Sequence, residues 1–179
     1  QIAPGSRADM IVTGDLSTLP IEVVYARGQR VAQFGTCLAE CPHLDWPEDT
    51  RQSVNLGKEL TATDFEIRSD AAEVTANVIG VVENQAPTKA LTKTLHVRDG
   101  IVESDGIAQI ALVERHRATG EVTNAFVSGF GYGPGMAMAS TVAHDSHHMI
   151  VVGTDRAMMA KAAMRLGEVG GGVTLWKDG

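Results

Sequence analysis

Gly129-Phe130-Gly131-Tyr132-Gly133-Pro134-Gly135 leads through a small-residue run into His144-Asp145-Ser146-His147-His148, and then into Met149-Ile150-Val151-Val152-Gly153. Three of the six histidines of the chain fall within these five polar positions, beside a carboxylate and a hydroxyl. Clustered titratable groups are costly to keep in a core, so the cluster points to a functional surface. The apolar run after it reads as a buried strand.

Working outward, Asp155 or Thr154 is placed to cap a helix in which Met159, Ala162, Ala163 and Leu166 recur at i, i+3, i+4 and i+7, with Gly167 as its C-cap. Gly170-Gly171-Gly172 then turns into a final strand, Val173-Thr174-Leu175-Trp176. Before the cluster, Pro134 suits the first turn of a short helix over residues 136–141. Further upstream, Asn124-Ala125-Phe126-Val127 and Ile107-Ala108-Gln109-Ile110-Ala111-Leu112-Val113 read as strands. So do residues 91–97, residues 74–82 and the short run Asp64-Phe65-Glu66-Ile67-Arg68, with turn dipeptides at Asp99-Gly100 and Asp105-Gly106.

The N-terminal part is all β. Ala8-Asp9-Met10-Ile11-Val12 and Ile21-Glu22-Val23-Val24-Tyr25-Ala26 are strands, and a turn at Arg27-Gly28-Gln29-Arg30 returns the chain through Val31-Ala32-Gln33-Phe34. The expected fold class is α+β. Residues 1–35 are expected to be a set of β-strands, residues 36–59 a connection, and residues 60–179 a mixed α/β domain truncated at its end.

Composition narrows the function. With 44% hydrophobic and 21% charged residues, the chain of 179 residues is globular and able to bury a core. A net charge of −7 without any Lys/Arg cluster argues against nucleic acid as a partner. No apolar run approaches the roughly 20 residues of a membrane helix, and no basic-then-apolar leader opens the chain, so the cytoplasm is the expected compartment. Cys37 and Cys41 have neither zinc-ribbon nor CxxC spacing and read as free thiols. The chain starts without Met and stops just after a strand-like run, so both ends look cut.

The glycines at 129, 131, 133 and 135 match neither GxGxxG nor a Walker loop, and read as backbone needing positive φ or close approach. His144, His147 and His148 have loose metal-ligand spacing, yet no general-base Glu lies between them. The competing reading is a hydrogen-bonded polar turn. Glu114-Arg115-His116 at a strand end is an acid–base set or a satisfied ion pair, and nothing local chooses between them. The methionines at 136, 138, 158, 159 and 164 read as adaptable core filler.

Two sets of residues carry a family resemblance. Ile2, Gly5, Ala8, Asp9, Ile11 and Val12, with the later echo Val24, Gly28 and Val31, resemble the closing strands of the small β-domain in the amidohydrolase superfamily. Val113-Glu114-Arg115-His116, Thr119-Gly120, Val127-Ser128-Gly129-Phe130-Gly131, Thr141-Val142-Ala143-His144-Asp145-Ser146-His147, Ile150-Val151-Val152-Gly153 and Gly170-Gly171-Gly172 resemble the C-terminal domain of bacterial adenine deaminases. One departure stands out: His148 occupies a position where that family usually has Asn, and a histidine can replace an amide donor.

The resemblance implies a parent enzyme that hydrolyses adenine to hypoxanthine and ammonia by metal-activated water. It also implies a binuclear divalent centre, manganese or iron, held by an upstream barrel absent from this chain, so no metal ligands are expected here. The chain alone is then expected to be inactive, with the missing barrel domain and further copies of itself as partners. His144, Asp145, His147, Glu114, Arg115 and His116 would lie near the active-site mouth. The alternative is a non-catalytic α+β module for oligomerisation or interdomain packing.

Overall fold

A computed structural model describes residues 3–40 and 42–178; Ile2 of the β-domain pattern and Cys41 lie outside the described residues. The chain divides into two compact units, Gln1–Asp45 and Trp46–Gly179.

The first unit is an antiparallel sheet of four strands in sequential order: β1 (Met10–Thr13), β2 (Ile21–Ala26), β3 (Gln29–Gln33) and β4 (Thr36–Cys37). Arg27-Gly28 links β2 to β3 with both residues at positive φ, the two-residue turn whose twist matches paired strands. The Asp9 carboxylate accepts the Arg27 amide at 2.6 Å, so Asp9 braces the turn and does not extend β1. None of the described side chains of this unit is fully buried. Ile11, Val12, Leu16 and Phe34 stand exposed. The Cys37 thiol is free.

The second unit contains β5 (Glu73–Gly80), β6 (Lys89–Arg98), β7 (Ile101–Val102), β8 (Ala108–Val113), β9 (Val122–Ser128), β10 (Met136–Ser140), β11 (Met149–Gly153), α1 (Arg156–Val169) and β12 (Val173–Lys177). The strands form one sheet in the order β12-β10-β11-β8-β9-β5-β6-β7. Its pairs are antiparallel except β5 with β9. The α+β class is therefore observed, with one α-helix among the described residues packed against an open sheet. No helix among the described residues is long and apolar enough to cross a membrane.

The main core lies under α1. Met159, Ala160, Ala162, Ala163 and Leu166 face Ala137, Ala139, Met149 and Val151 of the sheet. Alanines on both sides let helix and sheet approach closely. Leu56, Leu60 and Phe65 complete this core, so the later part of the 36–59 stretch packs against the second unit, while Thr36–Cys37 pairs in the first.

Three local expectations change. Residues 136–141 are not a helix: Met136–Ser140 is β10, hydrogen-bonded to β11 on one side and β12 on the other. The alternation Met-Ala-Met-Ala also suits a strand with its alanines buried beneath α1, and pairing on both edges overrides the proline signal. Residues 64–68 do not form a strand either. Ala62–Phe65 is a 3-10 turn whose Asp64 carboxylate accepts the Thr61 amide at 2.8 Å, and only an isolated bridge links Arg68 to Ile101. Finally, α1 runs past Gly167 and ends at Gly170, at φ 82°. An alanine Cβ at Gly167 would lie 3.0 Å from Leu56 Cδ1, so that glycine serves packing.

Candidate functional site

The sequence-selected residues come together where β8 ends and β11 begins, because Val113 and Met149 are paired across the two strands. Glu114, Arg115 and His116 leave the end of β8, and residues 143–148 form the turn that enters β11.

Glu114 is spent on its own loop. Its carboxylate accepts the amides of His116 (2.5 Å), Arg117 (2.9 Å) and Thr119 (3.1 Å), plus the Thr119 hydroxyl (3.2 Å). Partial desolvation works to raise its pKa, but the hydrogen bonds from Arg117, Thr119 and His116 outweigh it and hold the carboxyl at about 2 instead of 4.5. A depressed carboxyl contributes stability present above pH 4.5 and lost as pH falls through about 2. The acid-unfolding curve of the protein should therefore lie below that of Glu114→Gln in pH, with the two converging as the carboxyl protonates. Coincident curves at every pH would remove this role.

Arg115 is buried, at 8% exposure. Its Nε donates to the His147 carbonyl at 2.8 Å, and one terminal nitrogen donates to the Ser53 carbonyl (2.6 Å) and hydroxyl (3.2 Å). Among the described residues it forms no ion pair. Neither the acid–base nor the ion-pair reading of Glu114-Arg115-His116 applies, since the carboxylate and the guanidinium serve different partners. The Nε2 of His116 also lies 2.8 Å from the His147 carbonyl.

His147 holds a left-handed backbone at φ 57°, which histidine tolerates at a cost of about 1 kcal/mol. Its amide donates to the Ala143 carbonyl at 2.8 Å, closing a single helical turn. Its side chain is exposed. The His148 ring lies 5.3 Å from that of His116, and its Nδ1 is buried without a partner among the described residues.

His144 and Asp145 behave differently. Their side chains are 92% and 96% exposed and pair with each other, His144 Nδ1 to Asp145 Oδ1 at 3.1 Å. Thus the fold gathers Arg115, His116, His147 and His148, and sends His144 and Asp145 outward. The three clustered histidines do not converge on a common point; among the described residues, no group of three or more His, Cys, Asp or Glu side chains has metal-holding geometry. The described residues do not fit a binuclear metal centre.

Ser53 is the member that sequence reading missed. It lies 62 positions before Arg115 in a polar stretch with no local signal. Gln109 was also missed, inside an apolar strand. Only 3% exposed, it donates to the Phe65 carbonyl and to Asn124 Oδ1, and it accepts from Arg156 Nε at 3.3 Å. Gln109 and Arg156 of this network line a polar cleft of about 290 Å³ at the start of α1, distinct from the histidine turn.

Comparison with known proteins decides the lineage. The family model described as the adenine deaminase C-terminal domain matches residues 85–179, more than half of the chain. The chain belongs to the adenine deaminase C-terminal domain family. It is 90% identical, over its whole length, to adenine deaminase 1 of Jannaschia sp. (strain CCS1), and 71% identical over 99% of its length to the adenine deaminase of Ruegeria sp. (strain TM1040). A more distant relative, adenine deaminase 1 of Carboxydothermus hydrogenoformans, is 38% identical over 99% of the chain. The chain spans about 30% of the length of these relatives. Within the adenine deaminase C-terminal domain, the region matched by the family model includes β8, β11 and the whole histidine turn.

Proposed function

We propose that this chain is the C-terminal part of an adenine deaminase whose full-length form hydrolyses adenine to hypoxanthine and ammonia in purine metabolism. The observation that carries the reading is the 90% identity along all 179 residues to a protein named adenine deaminase 1. In this reading a divalent centre, manganese or iron, supplies the activated water from a barrel domain outside this chain. The side chains described here contribute no ligand to it.

Residues 1–35 then serve as the closing strands of the small β-domain. A sheet with no fully buried side chain and with Ile11, Val12 and Phe34 exposed is suited to completion by further strands. The second unit serves as the C-terminal domain proper. Its exposed His144–Asp145 pair lines the mouth of the active site, and Glu114, Arg115, His116 and His147 build the ledge behind that pair. In this reading the parent works in the cytoplasm as a homo-oligomer.

The test is made on the full-length gene product that contains this chain. Purified enzyme should release ammonia from adenine and yield hypoxanthine. His144→Ala and Asp145→Ala should each lower kcat/KM by about tenfold or more, the size of one lost polar contact to a charged group, without changing metal content. Absence of adenine turnover would reject the assignment. Unchanged turnover in both variants would reject only the role of the pair.

A further inference from the structure

We infer that Arg115 and His116 are positioning residues, which clamp the His147 carbonyl and, through Ser53, fix the direction in which the His144–Asp145 pair projects. The clamp follows from geometry alone; its effect on turnover rests on the deaminase reading above.

Residues 143–148 cannot hold their shape unaided. One backbone bond, His147 amide to Ala143 carbonyl, closes the turn, and a non-glycine residue stands at φ 57° at its end. A single turn in an exposed segment frays unless something outside it fixes the terminal residue. Two donors do so here. The His147 carbonyl accepts from Arg115 Nε and His116 Nε2, both at 2.8 Å, filling its two lone pairs.

The clamp is anchored at its other end. The same guanidinium donates to the carbonyl and hydroxyl of Ser53, and the Arg115 carbonyl accepts the Asn55 amide at 2.8 Å. One planar group thus spans two segments that lie 32 and 62 residues away in sequence. A guanidinium has a rigid fork of donors, whereas an ammonium is a compact point charge. Burying this charge among carbonyl and hydroxyl oxygens, with no ion-pair partner among the described residues, is costly for packing alone. It is explicable where direction matters.

His116 adds a distinct signature. To donate from Nε2, its neutral ring must carry the proton there and leave Nδ1 bare. Glu114 does not compete for the ring, since its carboxylate is filled by the amides and hydroxyl of its own loop.

The experiment uses the full chain, 15N-labelled, at a pH where His116 is neutral. Long-range proton–nitrogen correlation should show the Nε2–H tautomer for His116. The His147 and His148 amides should exchange about tenfold or more faster in Arg115→Ala, as expected for one charge-assisted hydrogen bond lost. Arg115→Lys, able to keep one arm of the strut, should fall between that variant and the original. His116→Gln, which retains a donor, should exchange more slowly than His116→Ala. An Nδ1–H tautomer, or exchange unaffected by Arg115→Lys and His116→Ala, overturns the clamp, and neither observation requires Arg115→Ala to fold.

In the full-length enzyme, Arg115→Lys should raise KM for adenine more than it lowers kcat, at constant metal content. Faster exchange with unchanged KM and kcat supports the clamp and overturns the place of the turn at the active-site mouth.

Discussion

Gly57→Ala should lower the unfolding free energy of the second unit by about 3 kcal/mol, from a left-handed backbone and an overpacked contact combined. Gly57 sits at φ 77°, and a Cβ there would lie 2.1 Å from the Ala118 carbonyl oxygen and 2.4 Å from its carbon. Both atoms are backbone, so no side-chain rotation relieves the clash. Retreat of either segment would break the hydrogen bond from the Asn55 amide to the Arg115 carbonyl, which ties them at 2.8 Å.

The close approach brings the segment carrying Ser53 against the loop carrying Arg115, so the substitution strikes the anchor of the histidine turn as well as stability. Urea unfolding measures it. Gly133→Ala, with nothing within 4 Å of the new Cβ, is the control and should change stability by less than about 0.5 kcal/mol. Equal unfolding midpoints for the two variants would refute the contact.

Phe65→Ala has the largest effect expected in the core, a loss of about 4 kcal/mol. The ring is 0% exposed and packs in the same cluster as Leu60, Met159 and Leu166, where α1 and the 3-10 turn meet the sheet. The surroundings collapse poorly around such a loss, because the backbone of Phe65 is held by Gln109 and Gln109 in turn by Asn124 and Arg156. The polar cleft at the start of α1 should loosen together with the core. Thermal unfolding measures the loss, and a cost below about 1 kcal/mol would show that Phe65 is not a keystone of the packing.

The parts of the fold legible in sequence are those whose own residues hold the information. Val-Thr-Ala-Asn-Val-Ile in β5, the β-branched run of β11 and the i, i+3, i+4, i+7 face of α1 announce their periods, and Asp155 caps α1 by accepting the Met158 amide at 2.9 Å. The first hairpin was equally plain from Arg27-Gly28. Where a local signal is overridden by pairing from elsewhere, reading fails. Pro134 suggested a helix over residues 136–141, and β11 and β12 on either side make Met136–Ser140 the strand β10.

The site divides in the same way. Its residues were visible as a motif, but their roles were not. Glu114 looked like an acid or an ion-pair partner and is a loop-closing acceptor. His147 looked like a side-chain ligand, yet the carbonyl is what binds its neighbours. The spacing of the three histidines left a metal site and a polar turn both open, and among the described residues no group of three such side chains has metal-holding geometry.

By itself, the sequence determined the strand and helix periods and the motif that marks the adenine deaminase C-terminal domain, because each is encoded within a few neighbouring residues. Only the tertiary structure decided that β10 is a strand, that Ser53 anchors Arg115 and that His144 and Asp145 project outward. Those outcomes depend on hydrogen-bond donors and acceptors brought together from 32 and 62 residues away, and no local pattern of residues records which of them will meet.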